Sequence, residues 1–383
     1  MTERGPLDGV LVADFSRVLA GPLATATLAD LGAEVIKVER PGVGDDTRHW
    51  GPPWSVASSS YFEAANRSKR SIELDLADAA DLAVARDLAA RCDVLVENFR
   101  TGSLDRHGLG YDAVAALNPG VVYTSITGFG SRQGADLAGY DFLVQAVGGL
   151  MSVTGPPGEP TKVGVALVDV LTSKDAVVGI LAALRARDQR GGRGQRVEVN
   201  LLSSLLGSLA NQASAFLATG EAPAAMGNQH PSIAPYETLR ASDGQLAVCC
   251  GNDRQFAVLA AAIGVPGLAE DERFATNADR VAHRAALVDA LEAALGADTV
   301  DAWVDRLAAT GLPAGRVGTV ADGFALAERL GLEPTVDVGA GLPPQVRSPL
   351  TFSDTPVTRY APPPRLGEHN DEVRARLGGP ATR

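Results

Sequence analysis

Residues 162–184, KVGVALVDVLTSKDAVVGILAAL, set one carboxylate, Asp169, between an apolar strand-like stretch and a helix. Asp interrupts a strand and rarely sits beside buried aliphatics without a partner. Two roles suit it. As an N-cap for a helix over 170–187, it would accept backbone N–H bonds, and its charge would suit the helix N-terminus. As a nucleophile, a carboxylate held ionised at a helix start can attack an activated acyl group and form a covalent intermediate. The segment alone favours the cap, so the rest of the chain must decide.

Basic side chains recur at strand ends. Arg17 follows the first strand, and Lys37 and Arg40 flank the second. Arg67, Lys69 and Arg70 sit in ANRSKRS, and Asn98, Arg100 and Arg106 in NFRTGSLDR. Ligands of parallel sheets bind beyond the carboxyl ends of the strands. In an acidic chain, this set points to a phosphorylated ligand. Each residue singly reads as a solvated loop charge, but the repeated placement argues for a site. Tyr140 and Asp141 open an apolar helix, GYDFLVQA. Tyr140 could hydrogen-bond a reacting carboxylate or pack in the core with its hydroxyl satisfied. Gly-rich loops at 41–48 and 128–134 either let backbone approach a ligand closely or form plain turns.

Other chemistries lack their motifs. No GxGxxG follows the first strand, and neither a phosphate-binding GxxxxGK[ST] nor a GxSxG elbow is present. The five His are scattered, and Cys92, Cys249 and Cys250 lack metal-ligand spacing, so neither a metal nor a tightly bound cofactor is expected. A formal charge of −12 argues against nucleic-acid or anionic-membrane partners. The polar N-terminus, the lack of a long apolar run and the sparse cysteines suit a reducing cytoplasm.

The elements that must position these residues are short β runs at 9–15, 34–39, 71–76, 93–97, 121–126 and 196–199, which alternate with helical stretches. The helices fall at 20–31, 79–91, 111–117, 140–148, 170–187 and 201–217. This alternation predicts an α/β fold with a covered parallel sheet. Residues 220–232 are irregular and mark a boundary. Beyond them, two strands (236–240 and 245–249) joined by Ser-Asp-Gly predict a hairpin. Helices at 253–263, 285–294 and 299–310 complete a smaller α+β domain. We expect a large domain over 1–220, with 330–383 returning to it, and a small one over 225–325.

Taken in order, several segments resemble the class III CoA-transferase family, which also holds formyl-CoA transferases, carnitine dehydratases and methylacyl-CoA racemases. They are PLDGVLVADF, ADLGAEVIKVERP, NRSKRSIELDL, DVLVENFRTG, LNPGVVYTSITGFG, GYDFLVQA and a final LGEH. The resemblance implies a Rossmann-like large domain, a small domain and an interlocked homodimer. It implies that Asp169 attacks an acyl-CoA and that CoA passes to a carboxylic acid, coenzyme A being substrate rather than resident cofactor. It carries CoA contacts to Arg17, Val18, Ala20, Arg40, Lys69, Arg70, Asn98, Phe99, Arg100 and Arg106. Arg17 stands where some members have His, and Ser68 where Gly is commoner. Racemase members have an acid/base His at the Tyr140 position. A phenol titrating near 10 is a poor base at neutrality, which disfavours a racemase. A hydratase-like member and a CoA-binding protein without turnover also fit the resemblance. GNQHPSIAPYE and CGNDRQF look like members acting on succinyl-CoA or other dicarboxylates. There Asn228, Gln229 and His230 form either a loop over the acyl site or a linker with a satisfied His.

Overall fold

The computed structural model describes residues 5–56 and 58–377. Its first unit is built from the chain through Leu150, from Val163–Glu221 and from Glu333 onward. Six parallel strands form its sheet: β1 (Leu11–Asp14), β2 (Glu34–Glu39), β3 (Lys69–Glu73), β4 (Val94–Glu97), β5 (Val122–Thr127) and β6 (Gln195–Asn200). The order is β3-β2-β1-β4-β5-β6, that of a dinucleotide-binding sheet although no dinucleotide fingerprint is present. The central strands read LVAD and VLVE because helices cover both faces, leaving Val12, Ala13, Val94, Leu95 and Val96 fully buried.

On one face lie α1 (Ala20–Asp30) and, later in the chain, a 23-residue helix at Leu167–Gln189. Between them come α2 (Ser60–Ala64), α3 (Ala79–Arg91), α4 (Tyr111–Leu117), α5 (Asp141–Val147) and α6 (Leu150–Val153), so the long helix is α7. Leu28, Val35, Val94, Val122, Ala176 and Ile180 meet in the core on that side. α3 and α4 cover the other face, where Ile36, Leu88, Leu95, Leu109 and Val114 pack. At the close of the chain, α15 (Asn370–Leu377) and the residues before it guard the exposed edge of β3. Ser68 N donates to Ala361 O, His369 N to Ser71 O, and Glu73 N to Asn370 Oδ1. These bonds satisfy edge groups that would otherwise template aggregation. Ser68 itself holds φ 61°, a left-handed conformation that favours glycine.

The second unit comprises Met151–Lys162 and Ala222–Leu332. Its antiparallel sheet joins β7 (Tyr236–Arg240), β8 (Gln245–Cys249) and β9 (Ala314–Arg316). Arg240 pairs with Gln245, closing the hairpin at Ser-Asp-Gly. Around it run α10 (Asp253–Ala262), α11 (Asn277–Ala282), α12 (Arg284–Leu295), α13 (Val300–Ala309) and α14 (Val320–Arg329). Phe256, Phe274, Leu291 and Trp303 fill their own core.

The structure revises several boundaries. The expected helix at 201–217 is two, α8 (Leu201–Ser208) and α9 (Ala210–Thr219), bent by 82° where Ala210 takes φ 46°. β3 starts at Lys69 rather than at 71, because Lys69 and Arg70, read as loop charges, occupy strand positions. α2, α11 and β9 were not foreseen, being short, and α14 was missed although its apolar residues recur with a helical period. Among the described residues no single helix is long and apolar enough to cross a membrane.

Candidate active site

β1 and β4 are neighbours at the centre of the sheet, where strand order reverses. Parallel sheets bind ligands in the crevice at such a point. The loops leaving the two strands are tied together. Arg17 N donates to Asn98 Oδ1 at 2.8 Å, and Asn98 Nδ2 donates to Arg17 O at 2.6 Å. Val18 then takes φ 70°, an outlier for a β-branched residue. Its N–H reaches both Asp45 carboxylate oxygens, at 3.3 and 3.2 Å. Surrounding contacts must hold such a conformation in place.

A buried charge network beneath the loop supplies them. Lys37 Nζ donates to Asp45 Oδ2 at 2.9 Å and to Ser16 O at 3.0 Å. Lys69 Nζ donates to Asp14 Oδ2 at 3.0 Å, Pro22 O at 2.8 Å and Asn66 Oδ1 at 2.9 Å. Asp14 also accepts from Ser16 and Thr25. All four charged side chains are fully buried. Burial pushes the Asp14 carboxyl up, but Lys69 and Lys37 overcome this and hold it down at about 2.

Two cavities open on the tied loops. The first, of about 240 Å³, is lined by Arg17, Val18, Asn98, Arg100, Tyr140 and Asp169, and Ala20 and Phe99 also border it. The second, of about 490 Å³, is bordered by Arg40, Leu74, Leu76 and His107. Arg17 and Phe99 line both, with the guanidinium 5.0 Å from the ring centroid. Arg17 Nε is buried with no hydrogen-bond partner among the described residues.

Three expected CoA contacts fall elsewhere. Lys69 is a correction: its three N–H groups are spent on the network, and none is left for a phosphate. Arg70 pairs with Glu34 and with Glu372 of α15 and lines neither cavity. Arg106 is exposed on a short turn, donates to Ser103 O at 3.1 Å and lines neither cavity. Asn228, Gln229 and His230 belong to the second unit. There Asn228 Nδ2 donates to Thr238 Oγ1 at 3.0 Å, Gln229 N to Met226 O at 3.2 Å, and Ser232 N to His230 Nδ1 at 3.1 Å.

Asp169 sits in the first turn of α7, whose N-cap position is Ala166. The expectation that Asp169 caps this helix is therefore wrong. The first-turn donors are satisfied otherwise: Leu167 N by Val165 O at 2.8 Å, Val168 N by Asp141 Oδ1 at 2.7 Å, and Asp169 N by the same oxygen at 3.3 Å. Asp169 is left with no hydrogen bond to its carboxylate among the described residues, and it faces the first cavity. Burial first, and then the nearby Asp141 carboxylate, push it up to about 7. It is thus not held fully ionised at neutrality, as a bare helix start would hold it. The Tyr61 phenol is pushed up to about 12 by burial and then by Asp169 and Asp141, so it stays neutral. Nothing in the sequence singled it out. Tyr140 is 62% exposed at the cavity rim rather than packed in the core. Behind it, Gly139 meets Gly128 so closely that a Cβ on either would lie 2.3 to 2.5 Å from the other's Cα. Only glycine fits at these two positions.

The model of CoA-transferase family III matches residues 7–370. This chain belongs to that family. The transferase is 41% identical to a succinate–glutarate CoA-transferase of Agrobacterium fabrum, covering 98% of this chain and 96% of that one. It is 40% identical to an acetyl-CoA:oxalate CoA-transferase of Acetobacter aceti, covering 98% and 97%. A crystal structure of a CAIB/BAIF family protein from Brucella suis superposes with a TM-score of 0.87 at 46% identity, over 98% of this chain and 100% of that one. The enzyme moves CoA from an acyl-CoA to a carboxylic acid.

Proposed function

We propose that Asp169 carries CoA from one acid to the other and that these acids are dicarboxylic. The observation behind the first part is a carboxylate with no hydrogen-bond partner among the described residues, facing a cavity at the sheet's switch point. Asp169 Oδ attacks the thioester carbonyl of the donor, the C–S bond breaks, and CoA leaves as thiolate. The thiolate then attacks the aspartyl carbonyl of the mixed anhydride, forming an aspartyl–CoA thioester and releasing the donor acid. The acceptor carboxylate attacks that thioester, again expelling thiolate. The thiolate takes the acceptor's acyl group and restores Asp169. Each step exchanges one acyl bond for another, so no oxidant or water is consumed. Positioning the carboxylate within about 3–3.5 Å of the carbonyl overcomes its weak nucleophilicity.

Arg17 and Phe99, shared by the two cavities, support CoA lying across both, with its acyl end beside Asp169 and its phosphorylated end towards Arg40. Relatives named for succinate, glutarate and oxalate support a second carboxylate on the substrate, and Arg17 and Arg100 are the cations nearest to hand for it. Incubation with succinyl-CoA followed by hydroxylamine should convert Asp169 to a hydroxamate, read as a mass change on its peptide. An unmodified Asp169 with the label on another residue would refute this reading.

The same proposal includes a homodimer. Phe142, Val147, Val178, Leu206 and Leu217 are exposed on α5, α7, α8 and α9, apolar side chains that a second copy would cover. Light scattering should give twice the chain mass, and a monomer at micromolar concentration would exclude it.

A further inference from the structure

We propose that Asp141 is a positioning residue for the transfer reaction: from α5 it caps α7 and fixes the backbone of Asp169 against the cavity. The inference rests on Asp169 being the nucleophile. N-caps are ordinarily supplied by the residue preceding the helix, but here Ala166 has no side-chain acceptor to offer. The acceptor comes from 27 and 28 residues upstream, through Asp141 Oδ1 to the N–H groups of Val168 and Asp169.

Asp141 is itself held. Gln145, buried one turn along α5, donates from Nε2 to Asp141 Oδ2 at 2.7 Å. The same amide donates to Val165 O at 3.3 Å and accepts from Val163 N at 2.9 Å. One carboxylate and one amide thus clamp both the chain entering α7 and its first turn. The cap has a second consequence. It takes up the N–H dipoles that would have favoured an anionic Asp169 and adds a like charge nearby.

The other charged and titratable groups around Asp169 are few. Tyr140 borders it on the α5 side and Tyr61 stands on α2, while Arg17, Asp46 and Arg100 project from the loops after β1, β2 and β4. α8 carries no charged residue, Asp30 of α1 is bound by Arg67, and Arg196 of β6 is bound by Glu198.

Asp141→Ala and Asp141→Asn, with Asp169→Asn in parallel, provide the test through CoA transfer measured against pH. Asp141→Ala should lower kcat about 10²-fold, the cost of misplacing a reacting group by around 1 Å, with KM for the acyl-CoA little changed. Asp141→Asn keeps a cap acceptor but loses the charge. It should recover most of kcat and move the acid limb of kcat/KM to lower pH than in the wild type. Ionisation of the substrate is common to both proteins and cancels in that comparison. Wild-type kcat in Asp141→Ala, or an unmoved limb in Asp141→Asn, overturns the proposal. So does a loss shared equally by kcat, KM and melting temperature, which would mark a merely structural role. Full activity in Asp169→Asn would instead overturn the nucleophile reading, and this inference with it.

Discussion

Asp169→Asn loses CoA transfer by roughly 10³-fold or more, the scale seen when a covalent nucleophile is removed, yet folds more stably than the wild type above pH 7. Both effects come from one carboxylate in one place. The Asp169 carboxyl is raised from 3.8 to about 7 by burial and by Asp141. Between those values the folded chain keeps a proton that the unfolded chain releases, so this group's contribution to stability falls as pH rises through the window. Above pH 7 the folded enzyme carries an ionised carboxylate in a site that disfavours it. Neutral Asn removes that cost, about 1–3 kcal/mol after allowing for partial exposure. Thermal melts at pH 4 and pH 8, beside a transfer assay, check both halves. The stability gain should appear at pH 8 and vanish near pH 4. Equal gains at both pH values, or intact transfer, would refute the account. The same titration predicts that transfer rises with pH towards a plateau above 7, because only the ionised carboxylate attacks.

Lys69→Met should unfold the enzyme at markedly lower temperature, with a loss of about 3–5 kcal/mol. Methionine matches the volume of the lysine stem, so the loss is one of charge and hydrogen bonds rather than packing. Asp14 would remain buried as an anion with Lys37 its only nearby cation, and Asn66 Oδ1 and Pro22 O would lose their donor. The damage should reach the site, because Asp14 and Ser16 anchor the turn that carries Arg17 and strained Val18. KM for the acyl-CoA should therefore rise together with the drop in stability. A phosphate-binding lysine behaves differently: its removal weakens CoA binding while the melting temperature stays put. That second pattern would restore Lys69 to the ligand site and refute the network reading.

These two residues mark how far the sequence could be read. The parallel sheet was legible because strands covered on both faces must be runs such as VLVE, and because helices of regular length separate them. The hairpin at Ser-Asp-Gly was legible from its turn chemistry. The site loops were legible as a class, since basic residues after strand ends converge at a switch point. Individual charges were not. Lys69 and Arg17 look alike in the sequence, but a strand position turns one side chain into the core and a loop sends the other into the cavity. Tyr61 left no signal at all, because its place near Asp169 depends on the path of residues 40–60.

The ordered segments alone pointed to the family and the α/β architecture, and they singled out Asp169 as a candidate. Only the tertiary structure decided what Asp169 is free to do. A helix needs its first N–H groups satisfied, and that need can be met by any acceptor within about 3 Å, whatever its distance along the chain. Asp141 meets it from a separate helix, so Asp169 keeps both its oxygens for the cavity. Its charge is likewise set by burial and by neighbours in space, which the spacing of residues does not record.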